Sequence, residues 1–198
     1  MKILEIISSP RKGASNSIKL GKAIIEKLVA ANPGATVHTK DLTAHPFPHL
    51  EEAHLNAFFT PADKHTDESK EAIRHSDEAI NEIKEADVIV IGVPMYNFTI
   101  PSTLKAWIDH IARAGITFKY TENGPIGLIS GKKVYLAVTT GGIYSEGPYK
   151  SGDFAVPYMQ SILAFMGMND VVVNRAEGFA LPGVQDTALE KGIANIVI

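Results

Sequence analysis

Cysteine is absent from this chain of 198 residues. That removes disulfides, thiolate nucleophiles, iron–sulfur clusters and cysteine-bound zinc together, and it fits a reducing compartment. Long apolar runs are missing too: none approaches the roughly 20 residues needed to span a bilayer. The opening Met1-Lys2-Ile3-Leu4-Glu5 carries an acidic residue and reads into a strand, unlike a signal peptide. Charge of one sign is scarce. A net charge of −3 lacks the basic surface that a nucleic acid or an anionic membrane calls for. The expectation is a soluble, cytoplasmic protein with no nucleic-acid and no membrane partner.

Several motifs are also lacking. No Gly-Lys-Ser/Thr follows a glycine loop, and Gly13 stands alone where a Gly-x-Gly-x-x-Gly fingerprint would need three glycines. None of the seven histidines falls in His-Glu-x-x-His, so they read as surface or structural groups and no metal is expected. His110, on the segment carrying Trp107, reads as hydrogen-bonded structure rather than as an acid. No Gly-x-Ser-x-Gly elbow supports a serine nucleophile.

What is present is an alternation of strands and helices over a length suited to one domain, 1–198. Strands are expected at Lys2–Ile7, Thr36–Leu42, Val88–Val93, Lys133–Val138 and Val171–Asn174, with five helices between and after them. The last helix is placed at Asp186–Val197. Segment 43–66 holds three prolines and should form only short helical pieces; so long a connection is more often a lid or a partner contact than idle. Residues 115–133 read as a turn-rich insertion. The resulting fold class is α/β, a doubly wound five-stranded parallel sheet of flavodoxin-like order 2-1-3-4-5.

The centre of the chain is the run from Asp87 to Ala114. Val88 to Val93 is β-branched and apolar without alternation, as in a strand covered on both faces. Pro94 stops it, and Met95, Tyr96, Asn97 and Phe98 follow before the helical spacing of Leu104, Trp107, Ile108 and Ile111. These four could wall a flat aromatic ligand, or merely cap the core at a sheet end. The turn after the first strand, with Ser9, Ser15, Asn16 and Ser17, could place helix amides around an anion, or serve only as an N-cap. Thr139, Thr140, Gly141 and Gly142 after the fourth strand could bring backbone amides close to a ligand, or form an ordinary turn. In the 2-1-3-4-5 order all three turns meet at one sheet edge, beside the switch point between strands one and three. A planar ring on a short monophosphate tail accounts for all three, and flavin mononucleotide (FMN) is such a ligand.

The runs Ile6-Ile7-Ser8-Ser9-Pro10-Arg11 with Ser15-Asn16-Ser17, Pro94-Met95-Tyr96-Asn97-Phe98-Thr99-Ile100-Pro101, and Thr117-Phe118-Lys119-Tyr120 with Gly124-Pro125-Gly127-Leu128 resemble the FMN-dependent NADH-azoreductase family of flavodoxin-like quinone reductases. The resemblance covers the whole chain. It implies a phosphate site at Ser9, Ser15, Asn16 and Ser17, and a ring site at Met95, Tyr96, Asn97 and Phe98 closed from a third side by 139–142. It also implies NADH or NADPH as donor, a quinone or azo compound as acceptor, and a homodimer with its sites at the subunit interface. Phe118 and Tyr120 become candidates for the substrate pocket, and no side chain is an obligatory acid or base. The competing expectation is a flavodoxin-type electron carrier with no substrate of its own.

Overall fold

The computed structural model describes residues 1–198. Its elements follow the chain as β1 (Lys2–Ile7), α1 (Asn16–Ala31), β2 (Thr36–Asp41), α2 (Glu52–Phe59), α3 (Asp67–Glu85), β3 (Val88–Pro94), α4 (Ser102–Ile111), β4 (Phe118–Thr121), β5 (Gly124–Gly127), β6 (Lys133–Thr140), α5 (Ala155–Phe165), β7 (Asp170–Glu177) and α6 (Ala188–Ala194). Five strands form one parallel sheet in the order β2-β1-β3-β6-β7. Numbered along the chain this is 2-1-3-6-7, not 2-1-3-4-5. The difference has one cause: the 115–133 insertion, read as turns, folds into an antiparallel β4–β5 hairpin that takes two numbers without joining the sheet. Each of its strands is four residues long and contains or abuts turn residues, too little for periodicity to register.

All seven residues of β3 are buried. Ile89, Ile91 and Val93 enter the larger core with α3, α4 and α5, whereas Val88 and Val90 face the smaller core with α1 and α6. Both faces are covered, which is why the run shows no polar alternation. β6 and β7 run further than expected, to Thr140 and Glu177, while the last helix is shorter, Ala188–Ala194. All the extra strand residues but Ala176 are polar, and the two strands stay in register there, Thr139 with Ala176 and Thr140 with Glu177, so an apolar-run criterion stops short of them.

The hairpin joins the C-terminal ends of α4 and α5 at the sheet's N-terminal edge. Ala114 bridges to Phe118, and the Phe118 ring lies 4.3 Å from that of Phe165. Backbones cross so closely there that a Cβ on Gly127 would fall 2.0 Å from the Gly167 nitrogen. On the other flank, segment 43–66 docks against α3 and α4 rather than over the site described below. Its Pro48 carbonyl is 3.0 Å from His110 Nε2, and Arg113 sits 4.7 Å over the Phe58 ring while donating to Ser76 and Asp77.

His110 is fully buried. Burial first, then the nearby His54 and His75, hold its pKa below the ordinary 6.5, against the opposing pull of the Pro48 carbonyl and Asp109. A depressed histidine pKa means that the unfolded chain binds the proton more readily, so its contribution is complete above about pH 6.5 and is lost as pH falls through the folded value. Urea midpoints should therefore drop between pH 7.5 and pH 5, and His110→Gln should flatten that slope. An unchanged slope in the variant would show that His110 does not set it.

Candidate functional site

Sheet register brings the three turns together. Pro94 at the end of β3 lies opposite Thr139 of β6, and Met95 N–H continues the ladder by donating to the Thr139 carbonyl at 2.9 Å. Beside β3, the buried Ser8 hydroxyl at the end of β1 donates to the Gly92 carbonyl at 2.7 Å. Thr103 of α4 donates in turn to the Ser8 carbonyl at 3.0 Å. The ends of the three neighbouring strands are thus fixed to one another before any ligand is considered.

Between them lies a pocket of about 250 Å³, open to solvent and small for a cofactor-sized ligand wholly enclosed. Ser9, Ser15 and Asn16 from the first turn, Met95 and Tyr96 from the second, and Thr139, Thr140 and Gly141 from the third all line it. Tyr96 belongs also to an adjacent groove of about 780 Å³ with Ile100, Pro101 and Tyr158, and Asn97 lines that groove and not the pocket. Burial, reinforced by Asp109, pushes the Tyr158 hydroxyl up to about 12, so it stays protonated there.

The remaining expected residues border the pocket without lining it. Ser17 is buried behind Ser15, its hydroxyl 3.0 Å from that of Ser15. Phe98 is exposed and meets Tyr144 edge-on, with ring centroids 6.4 Å apart. Gly142 gives its carbonyl to the Thr140 hydroxyl and to Gly178 N–H. Phe118 and Tyr120 are not brought here at all; they sit on the hairpin at the opposite sheet edge, Phe118 buried and Tyr120 exposed.

Besides Pro94, which opens the second turn, the pocket holds three residues that sequence reasoning missed: Arg11, Phe179 and Ala180. The last two form the turn after β7, whose N–H groups donate to the Thr140 and Gly141 carbonyls. The strand-end rule that located the other turns would have found this one had β7 been read through to Glu177.

Main-chain geometry gives the pocket its chemistry. Ser15 caps α1, accepting from Ile18 N–H. The N–H groups of Asn16 and Ser17 then have no protein acceptor, as expected in the first turn of a helix. The amides of Asn97, Phe98, Gly141 and Gly142 are likewise unclaimed. Tyr96 and Thr99 exchange two hydrogen bonds across Asn97-Phe98, both of which adopt positive φ, 48° and 70°. That is the pattern of a type I′ turn, which favours Asn-Gly. A phenylalanine held there costs about 1–3 kcal/mol, a strain that proteins retain mostly at functional sites. The array offers donors from two sides and an apolar wall between them, with no metal-binding cluster required. It suits an anion at α1 and a flat, polar-edged ring beside Tyr96.

The chain matches the family model described as flavodoxin-like fold over residues 1–197. It is 50% identical over 180 residues to an FMN-dependent NADH:quinone oxidoreductase of Herminiimonas arsenicoxydans, spanning 91% of this chain and 88% of that protein. Among solved structures, an azoreductase from Bacillus anthracis strain Sterne superposes with a TM-score of 0.90 at 34% identity, over 98% of this chain and 95% of the other. An FMN-dependent NADH-azoreductase from Bacillus anthracis strain Ames Ancestor, solved in complex with FMN, gives a TM-score of 0.84 at 28% identity, covering 98% and 96%.

Proposed function

We propose what this chain does from one premise: it belongs to the flavodoxin-like family of FMN-dependent NADH:quinone oxidoreductases. It is an enzyme of that type, with FMN as cofactor and NADH as donor. The finer reading concerns mechanism, acceptor range and residue roles. The observation that carries it is the convergence of the three turns on one pocket rimmed by unclaimed amides.

Asn16 and Ser17 amides, with the Ser9 and Ser15 hydroxyls, hold the FMN phosphate at the positive end of α1. Ser17 acts from behind, sharing its hydroxyl with Ser15. Met95, Tyr96, Asn97 and Phe98 wall the ring on one side, and Thr139, Thr140, Gly141 and Gly142 on the other. Amides of Gly141 and Gly142 stabilise the negative charge that reduction places on the ring edge. Bound FMN supplies the two-electron chemistry, hydride from NADH and its transfer with a solvent proton to a quinone or azo acceptor. Because the protein's part is placement and charge stabilisation, no side chain need act as acid or base. The open side of the pocket admits donor and acceptor in turn, a ping-pong order. Phe118 and Tyr120, at the far sheet edge of their own chain, could meet a substrate only from a second copy, so their role requires the homodimer. The whole chain acts as one domain, in the cytoplasm.

Purified protein reconstituted with FMN should be yellow at a 1:1 ratio, bleach with NADH under nitrogen, and regain colour on adding a quinone. Double-reciprocal plots at several quinone concentrations should be parallel. Intersecting lines would remove the ping-pong order; a protein that takes up no FMN would remove the whole reading. An electron carrier would show no turnover with free quinones, and azo dyes and NADPH form further arms of the same assay.

A further inference from the structure

The loop from Gly141 to Phe154 joins the third turn to α5, with a short 3-10 turn at Lys150–Gly152 and Phe154 N–H donating to the Phe98 carbonyl at 3.1 Å. A charged network ties it to β7. Glu177, at the end of β7, accepts from Tyr144 N–H at 2.9 Å and Ser145 N–H at 3.0 Å through Oε1, and from the Ser145 hydroxyl through Oε2. Arg175, two residues earlier on the same strand, donates to Glu177 at 3.3 Å and to Asp153 Oδ2 at 2.6 Å. The other oxygen of Asp153 accepts from Ala155 and Val156 N–H at 3.0 Å each, capping α5. Both ends of the loop are therefore tied to one strand end. These groups are largely shielded: side-chain exposure is 12% for Glu177, 20% for Arg175 and 5% for Asp153. Ion pairs so placed are screened much less than surface ones.

The network bears on the pocket through the backbone. Carbonyls of Thr140, Gly141 and Gly142 are all taken by N–H groups of 178–180. With the carbonyls held on that side and residues 144–145 pinned by Glu177, the peptide planes of 141–142 cannot turn, and their unclaimed N–H groups keep one direction. We infer that Glu177, backed by Arg175 and Asp153, is a positioning residue that aims the Gly141–Gly142 amides at the reduced FMN ring, and so sets how much more tightly the reduced cofactor is held than the oxidised one. This rests on the FMN reading above.

The test uses the full chain with Glu177→Ala and Glu177→Gln. In flavin-free protein, hydrogen exchange at Tyr144 and Ser145 should quicken at least tenfold in Glu177→Ala, and less in Glu177→Gln, which keeps one acceptor oxygen. Affinity for oxidised FMN, read by fluorescence quenching, should fall severalfold. Affinity for the reduced form should fall about tenfold further, which lowers the two-electron potential by about 30 mV. A carboxylate that merely stabilised the fold would lower the melting temperature and leave the potential of the loaded protein at the parent value; that result overturns the proposal. So does parent-like exchange at 144–145. If the parent chain takes up no FMN, the FMN reading fails and takes the positioning role with it, while the exchange data still decide whether Glu177 holds the loop. Should Glu177→Ala not fold, Glu177→Gln carries the same measurements.

Discussion

Ser15→Asp should fold as the parent does and bind FMN at least 100-fold more weakly. Ser15 is the N-cap of α1, with an extended backbone and a side-chain oxygen that accepts from Ile18 N–H. Aspartate ranks with serine at that position, so the helix keeps its cap, and its charge is favourable beside the exposed amides. The same carboxylate then occupies the place meant for a phosphate. A phosphate and a carboxylate about 4 Å apart repel by roughly 4 kcal/mol per unit charge at a protein surface. Part of that is screened, and what remains exceeds the ~2.7 kcal/mol that a hundredfold loss represents. Circular dichroism and the urea midpoint of the flavin-free protein should match the parent. Ser15→Ala is the comparison: it weakens the cap but adds no charge, and should cost far less in affinity. Near-parental FMN binding by Ser15→Asp would place the phosphate elsewhere.

Trp107→Ala should cost about 3–5 kcal/mol of stability, the range for emptying a large aromatic site in a core. Trp107 is 1% exposed and lies in the larger core between the sheet and its helices. Its indole N–H has no hydrogen-bond partner, so the loss is one of packing alone. Trp107→Phe therefore makes a sharp contrast: it removes the unpaired donor and keeps most of the apolar volume, and should cost under about 1.5 kcal/mol. Urea titrations of the flavin-free chain at constant m-value report both directly. A shift below about 1 kcal/mol for the alanine variant would mean that α4 closes over the space.

How far these features were legible depended on whether the signal was local. The buried strand, the stop at Pro94 and the helix bearing Trp107 could be read because apolar runs and helical spacing are properties of neighbouring residues. From the alternation of strands and helices came the parallel sheet, and from the sheet the meeting of three turns at one edge. The β4–β5 hairpin escaped because its strands are stabilised by α5 and by the close backbone crossing at Gly127, which no short window contains. Phe179 and Ala180 escaped because Arg175-Ala176-Glu177 looks like a loop yet pairs along β6. The turn at Asn97-Phe98 was recognised for its residues but not its shape, since phenylalanine is the wrong residue for that backbone and is held there by what surrounds it. The hold of Glu177 on its loop could not have been found from local signals: Tyr144 and Ser145 lie 33 and 32 positions away along the chain.

Six peptide N–H groups around the pocket, at 16, 17, 97, 98, 141 and 142, answer to no acceptor within the protein. Donors of this kind belong to the polymer rather than to any side chain, and only proline lacks one. A single codon change can therefore alter what stands beside the site, but almost never strike out the grip itself. Short of proline, what a substitution changes is the bend that aims these donors or the side chain standing beside them, not the donors themselves.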